Sequence, residues 1–173
     1  MTTTTVQGVP IGTIVAYAGD TSGNNAGSLN TQGWLVCNGE EYDIDDYPHL
    51  NAIIGTYYGT ASKAGQFKTP DLRGLFLRGV DNGAGKDPDK DSRTASAQNG
   101  NTGDKVGSYQ EDAFKSHAHQ LPYTDFNQAK GDNGDRRGTF DESQSHQNSL
   151  TTGGSETRPK NIYVNYIIKA KNV

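Results

Sequence analysis

The stretch Ile162-Tyr163-Val164-Asn165-Tyr166-Ile167-Ile168-Lys169 decides the fold. Ile162, Val164, Tyr166 and Ile168 fall on one face of an extended chain, and Tyr163, Asn165 and Lys169 on the other. That two-residue period is the signature of a strand. The stretch follows a long polar region, so the final segment, residues 162–173, is read as a strand returning to a core built by the first part of the chain.

That first part, residues 9–80, carries most of the aliphatic and aromatic side chains. Residues 11–18 read as a strand apolar on both faces, hence buried, and ended by Gly19. Residues 20–30, rich in Gly, Asn and Ser, read as a loop. Gly33 and Gly39 bracket a second short strand containing Trp34, Leu35 and Val36. Asp45 or Asp46 can cap a short helix with Pro48 in its first turn, Leu50, Ile53 and Ile54 on one face and Gly55 as its stop. Residues 69–71 read as a turn leading into a strand over 72–78. The fold class expected is mostly β with one short helix, interrupted by a long loop-rich polar insertion over 81–161 and preceded by a tail over 1–8.

Between residues 81 and 161 the only aliphatics larger than Ala, prolines aside, are Val106, Leu121 and Leu150. About eighty residues of that kind bury too little to offset the cost of their own ordering. Surface loops, partial disorder, or order borrowed from neighbouring subunits are the alternatives. The whole chain is 31% hydrophobic with 22 glycines, well below the roughly 45 to 50% apolar content of ordinary domains, so subunit association is the expected source of missing stability. The net charge of -4 and scattered Lys and Arg leave no basic patch for a phosphate backbone, which argues against nucleic acid as a partner. No apolar run approaches the roughly 20 residues that span a bilayer, and the start lacks the basic and apolar segments of a secretory signal. Cys37 is the single cysteine, consistent with synthesis in a reducing cytoplasm.

The sharpest local chemical signal is Ser116-His117-Ala118-His119. On an extended chain the two imidazoles point to one side and can reach one metal ion, and three chains about a three-fold axis would give six nitrogens, suited to iron, nickel or six-coordinate zinc. The plain alternative is two solvated loop histidines. His49 and His146 read as ordinary surface groups. Asp87-Pro88-Asp89-Lys90-Asp91 opens like a calcium-binding EF-hand loop, but Ser92 stands where the turn needs Gly and Gln98 where a bidentate Glu is required, so a solvated acidic loop is the better account. Nucleophile-elbow, zinc-protease and phosphate-loop motifs are absent, and Cys37 reads as a small buried hydrophobe. Tyr109, Phe114, Tyr123, Phe126 and Phe140 lie among Asn, Gln, Asp, Ser and Gly, a mixture suited to recognising varied polar surfaces such as glycans, or simply to anchoring loops.

Several stretches, in order, resemble the phage tail collar family, found at the ends of tail fibres and in contractile injection particles and microcystin-dependent proteins. They are Pro10-Ile11-Gly12-Thr13-Ile14, Gly33-Trp34-Leu35-Val36-Cys37-Asn38-Gly39, residues 47–50, Ile54-Gly55-Thr56-Tyr57-Tyr58-Gly59, and residues 67–79 around Pro70-Asp71-Leu72-Arg73-Gly74. Gly107-Ser108-Tyr109-Gln110, His117-Ala118-His119, Glu156-Thr157-Arg158-Pro159-Lys160-Asn161 and Tyr166-Ile167-Ile168-Lys169 complete the set. Asn38 departs from the usual Asp, the loop over 20–30 is long, and only one His-x-His pair is present.

The resemblance implies an intertwined homotrimer whose collar cores pack together, made in the cytoplasm without a signal peptide and working outside the cell as part of a virion or phage-like particle. Its partners would be other tail or fibre subunits and a cell-surface glycan met by the polar middle through Tyr109, Tyr123, Phe126 and Phe140. A structural iron or zinc ion held by His117 and His119 of three chains becomes an expectation, with no catalytic residues. Arg73, Arg78 and Arg158, near Asp71 and Glu156, read as structural ion pairs ordering Gly-rich turns, and Trp34 and Tyr57 as core anchors. A cap or adaptor of a tail or baseplate is the alternative function, and a metal-dependent polysaccharide hydrolase a weaker one.

Overall fold

The computed structural model describes residues 8–116 and 156–173. The chain divides into two compact units, Met1–Glu111 with Lys160–Val173, and Asp112–Pro159. The first unit thus continues well past residue 80, where composition turns polar.

Its elements, in chain order, are β1 (Ile14–Tyr17), α1 (Asn24–Thr31), β2 (Trp34–Val36), β3 (Glu41–Asp43), α2 (Pro48–Ile54), β4 (Gln66–Lys68), β5 (Thr94–Ala95), β6 (Ser108–Tyr109) and β7 (Asn165–Lys169). β7 is the centre of an antiparallel sheet of order β1-β7-β2, with Ile14 opposite Ile168 on one side and Leu35 opposite Ile168 on the other. The last strand in sequence therefore joins the first two. Ile167 and Ile168 are both buried, as expected for a strand covered on both faces. Ile168 and Leu35 enter the main core with Cys37, Tyr47, Leu50, Ile54, Phe67, Leu72 and Ala170. On the other face Lys169 lays its ammonium 5.2 Å from the centre of the Trp34 ring and donates from Nζ to the Gln32 carbonyl at the end of α1.

Several expectations need correction. β7 starts at Asn165, and Ile162 and Val164, assigned by alternation to the core face, are exposed. β1 is shorter than residues 11–18 and is not buried on both faces: Val15 and Ala16, on opposite faces of the strand, are both exposed. Among the described residues there are two α-helices, not one: the Gly- and Asn-rich stretch forms α1, whose Leu29 is buried. Its packing on β2 outweighs the poor helix propensity of Asn, Gly and Ser. The helix α2 has Pro48 in its first turn and Gly55 at its end, as read, but Tyr47 is its N-cap and Ile53 lies outside the core.

Residues 69–72 stitch onto the end of β2 rather than making a free turn. Thr69 N–H donates to the Glu40 carbonyl, Gly39 N–H to that of Pro70 and Leu72 N–H to that of Cys37, and Thr69 and Pro70 are fully buried. β3 pairs with β4, Tyr42 opposite Phe67, and these rings meet Tyr47 edge-on to close the core. Tyr57, expected as an anchor, is instead 43% exposed. The strand expected over 72–78 does not form; that segment runs without a ladder partner. Gly33 sits at φ 78° with Lys171 O against the place a Cβ would occupy, so only glycine permits the turn into β2.

Ile168→Ala is expected to lower unfolding free energy by about 2–5 kcal/mol, because it empties the fully buried centre of the sheet. Ile53→Ala should stay within about 0.5 kcal/mol. Chemical denaturation of both variants checks the pair, and similar losses would refute the assignment of α2's inner face.

Candidate functional site

The polar chain from residue 81 is ordered by charge and backbone donors, not by apolar burial. Asp81, nearly buried, accepts backbone N–H bonds from Gly85 at 2.9 Å, Lys86 at 2.5 Å and Asp87 at 2.9 Å. One carboxylate thus folds a six-residue loop around itself. The Asp87, Gly85 and Lys86 N–H donors hold the Asp81 carboxyl below its ordinary 3.8, against the opposing effect of burial.

Asp87 is the second node, only 7% exposed, with its carboxylate 3.2 Å from Arg78 Nε and 3.7 Å from Arg93 Nη1. The reading of residues 87–91 as a solvated acidic loop is corrected here, since the first carboxylate of that run is committed to two guanidinium groups. Arg93 then spans to the next strand pair, donating from Nε to Ser108 Oγ, from Nη1 to Gln110 Oε1 and from Nη2 to the Ser108 carbonyl. β5 and β6 pair beside it, Thr94 opposite Tyr109. A rigid five-donor fork suits this task, and a lysine could not span the same acceptors.

The same region is docked on the loop after α2. Thr60 N–H donates to the Gln98 carbonyl and Asn101 N–H to that of Tyr57. Gly107, at φ 89°, packs against the Tyr57 carbonyl where no Cβ fits.

The residues singled out in the sequence fall into separate places. Arg73 and Asp71 form a bidentate pair at 2.8 and 2.6 Å on the surface, and the Arg73 hydrogen bonds hold the Asp71 carboxyl below its ordinary value. Arg78 meets Asp87, not Asp71. Trp34 is half-buried under Lys169, and Tyr109 is half-buried in β6. His49 is exposed. His117, His119, Tyr123, Phe126 and Phe140 lie outside the described residues. In the second unit Arg158 Nη1 is 3.4 Å from Glu156, and Thr157 N–H donates to Asp112 Oδ2 at 3.0 Å across 45 positions of sequence. That bond ties together the two described ends of the second unit.

Asp81 and Arg93 were missed by the sequence reading, and Asp87 was read there only as part of a solvated loop. Asp81-Asn82-Gly83 followed by Gly85 is a turn-rich signal for a carboxylate accepting local N–H bonds, but nothing marks Arg93 as the partner of Asp87 and Ser108. Cys37 is 3% exposed and burial pushes its thiol up to about 12, which makes it a core hydrophobe, not a nucleophile. Among the described residues no group of three or more His, Cys, Asp or Glu is placed to hold a metal, and no helix is long and apolar enough to cross a membrane.

These features define a small β-rich module with a polar elaboration clasped to it by carboxylate and guanidinium contacts. The model of the family described as "Phage Tail Collar Domain" matches residues 12–77. Protein RhiB of Rhizobium leguminosarum bv. viciae is 40% identical over 164 residues, spanning 89% of this chain and 73% of that protein. StfE of Escherichia coli (strain K12) is 32% identical over 165 residues, spanning 80% of this chain and 79% of that protein. The short tail fiber protein gp12 of Enterobacteria phage T4 is 31% identical over 199 aligned residues, spanning 94% of this chain but 35% of that protein. The chain belongs to the phage tail collar domain family.

Arg93→Ala is expected to cost about 1–3 kcal/mol, the penalty of leaving buried acceptors short of donors, with Arg93→Lys failing to restore it. Arg73→Ala, at an exposed pair, should leave the denaturation midpoint close to that of the wild type. The depressed Asp81 group lends stability that is present above its ordinary 3.8 and lost as pH falls through its lower folded-state value. Amide exchange at Gly85, Lys86 and Asp87 should therefore quicken in strong acid relative to the sheet. Unchanged protection of those amides in an Asp81→Ala variant would refute the clasp.

Proposed function

We propose that this chain is a non-enzymatic attachment subunit at the end of a tail fibre of a phage or phage-like contractile injection particle. It acts as a homotrimer and recognises cell-surface glycans through the polar chain beyond the collar core. The observation that carries this reading is the division of labour in the chain. A collar core and its clasped loops form one compact unit, and the Thr157 N–H bond to Asp112 ties the two described ends of the second. The likeness to a protein named as a short tail fiber supports the location, and the aromatics Tyr109, Tyr123, Phe126 and Phe140 among amide and hydroxyl side chains suit a glycan. In this reading His117 and His119 of three chains hold one structural iron or zinc ion through six imidazoles.

The test is attachment of the purified chain to intact bacteria and to isolated lipopolysaccharide and capsule, beside a variant with residues 117–155 replaced by a short Gly-Ser linker. The wild type should bind and the variant should not, while both keep the same oligomeric mass. Failure of the wild type to bind any surface, with incorporation into particles intact, would replace this reading by a cap or adaptor role. Depolymerisation of the polysaccharide that vanishes in His117→Ala would replace it by a hydrolase. Elemental analysis should give about one metal per three chains, lost in a His117→Ala, His119→Ala variant.

A further inference from the structure

Two apolar-rich segments of the first unit lie outside every strand and helix among the described residues. Residues 76–80, Phe-Leu-Arg-Gly-Val, and residues 162–164, Ile-Tyr-Val, have backbone N–H and C=O groups that bond to no described residue. Their apolar side chains are exposed: Phe76 62%, Leu77 51%, Val80 44%, Ile162 88%, Tyr163 93% and Val164 42%. Scattered exposed hydrophobics are ordinary, but runs of them along an open strand edge are not.

Neither segment is a loose tail. The first is fixed before it by the Leu72 N–H bond to Cys37 and within it by the Arg78–Asp87 ion pair. The second runs directly into β7 at Asn165. Both also depart from the same end of the sheet. Cys37 N–H bonds the Tyr166 carbonyl, so Leu72, bonded to Cys37, lies at the end where residue 164 enters β7. The fold thus holds two segments with exposed apolar side chains, both leading off from one end of one sheet.

We infer that residues 76–80 and 162–164 are the assembly edges of the protein, each completed by backbone pairing with a strand of another copy of this chain. This rests on the homotrimer reading above and names its interface. An occupant must bring backbone donors and acceptors as well as apolar side chains, which means a strand. A foreign partner would have to bring two strands to one sheet end. A second copy already carries both, and pairing part of the five-residue segment of one copy with the three-residue segment of the next is a head-to-tail contact of the kind that closes a ring. Six apolar side chains at these exposures amount to several hundred Å², the scale of the roughly 800 Å² per partner of a standard stable interface. The chain's low hydrophobic share, 31%, fits a core completed between subunits.

The experiment uses the full chain. Light scattering across a concentration series is expected to show a trimer for wild type and at least a 10-fold rise in the dissociation concentration for Phe76→Lys and for Ile162→Lys. Both sites are exposed in the single chain, and an unchanged far-ultraviolet circular dichroism spectrum identifies a folded variant. As a second measurement, a Leu77→Cys, Tyr163→Cys double variant is oxidised and run without reductant; Cys37 is buried and stays unreactive. Cross-links between chains support the pairing, and cross-links confined within single chains overturn it. Slow amide exchange at residues 76–80 and 162–164 should disappear when the trimer is diluted apart. Protection that survives in the monomer means that residues 117–155 of the same chain cover the segments, which overturns the inference. A trimer indifferent to both lysine variants sinks this interface while leaving the homotrimer reading intact, whereas a monomeric wild type at every concentration sinks both.

Discussion

Everything in the first unit depends on β7 reaching its place between β1 and β2. Without it, β1 and β2 have no common partner, because neither pairs with the other. Leu35 would lose Ile168 from the centre of the core, and Lys171 could not cross Gly33. The fold is therefore closed by its last strand, across a very large separation in sequence. Loop-closure entropy makes this affordable, since each doubling of the loop adds only about 0.6 kcal/mol. A closing strand of Tyr166, Ile167 and Ile168, buried on both faces, more than offsets several doublings. The same arithmetic makes the length of the chain between residues 80 and 160 a small entropic term as long as both ends are held.

Holding the near end is the work of charge. Residues 81–111 have almost no aliphatic side chains to bury, yet Asp81, Asp87 and Arg93 give them a fixed shape through donors and acceptors that are each used more than once. Polar order of this kind is costly when incomplete and directional when complete. Among the described residues no buried side-chain polar atom lacks a partner, so the network is of the complete kind. It gives residues 81–111 their shape without adding apolar surface to the unit.

What the sequence made legible follows from what each element needs. Trp34, Leu35 and Val36 between two glycines, α2 between Pro48 and Gly55, and the closing strand were readable because their signals are local. The helix α1 was not, since its residues favour loops and only packing on β2 holds it. The ends of β7 and β1 were misread because alternation reports which residues are apolar, not whether a neighbour arrives to cover them; Ile162 and Val164 keep the period and stay exposed. The clasp was illegible for a related reason. Asp87 and Arg93 are close in sequence, but their shared dependence on Ser108 and Arg78 is a property of the folded loop. Metal and receptor groups expected at His117, His119, Tyr123, Phe126 and Phe140 lie outside the described residues, so the candidate site stands on its base.

The failed alternation and the composition are connected. A chain with this few hydrophobic residues has no surplus to spend on solvent, yet it leaves Phe76, Leu77, Ile162 and Tyr163 exposed while burying Thr69, Asp81 and Asp87. In a self-sufficient monomer the preference would run the other way, because each exposed aromatic forgoes the burial that stabilises ordinary cores. The inversion is understandable if the unit of folding is larger than one chain. The polar clasp then fixes each copy's internal loops, and the outward apolar edges are kept for contacts that only neighbouring copies complete.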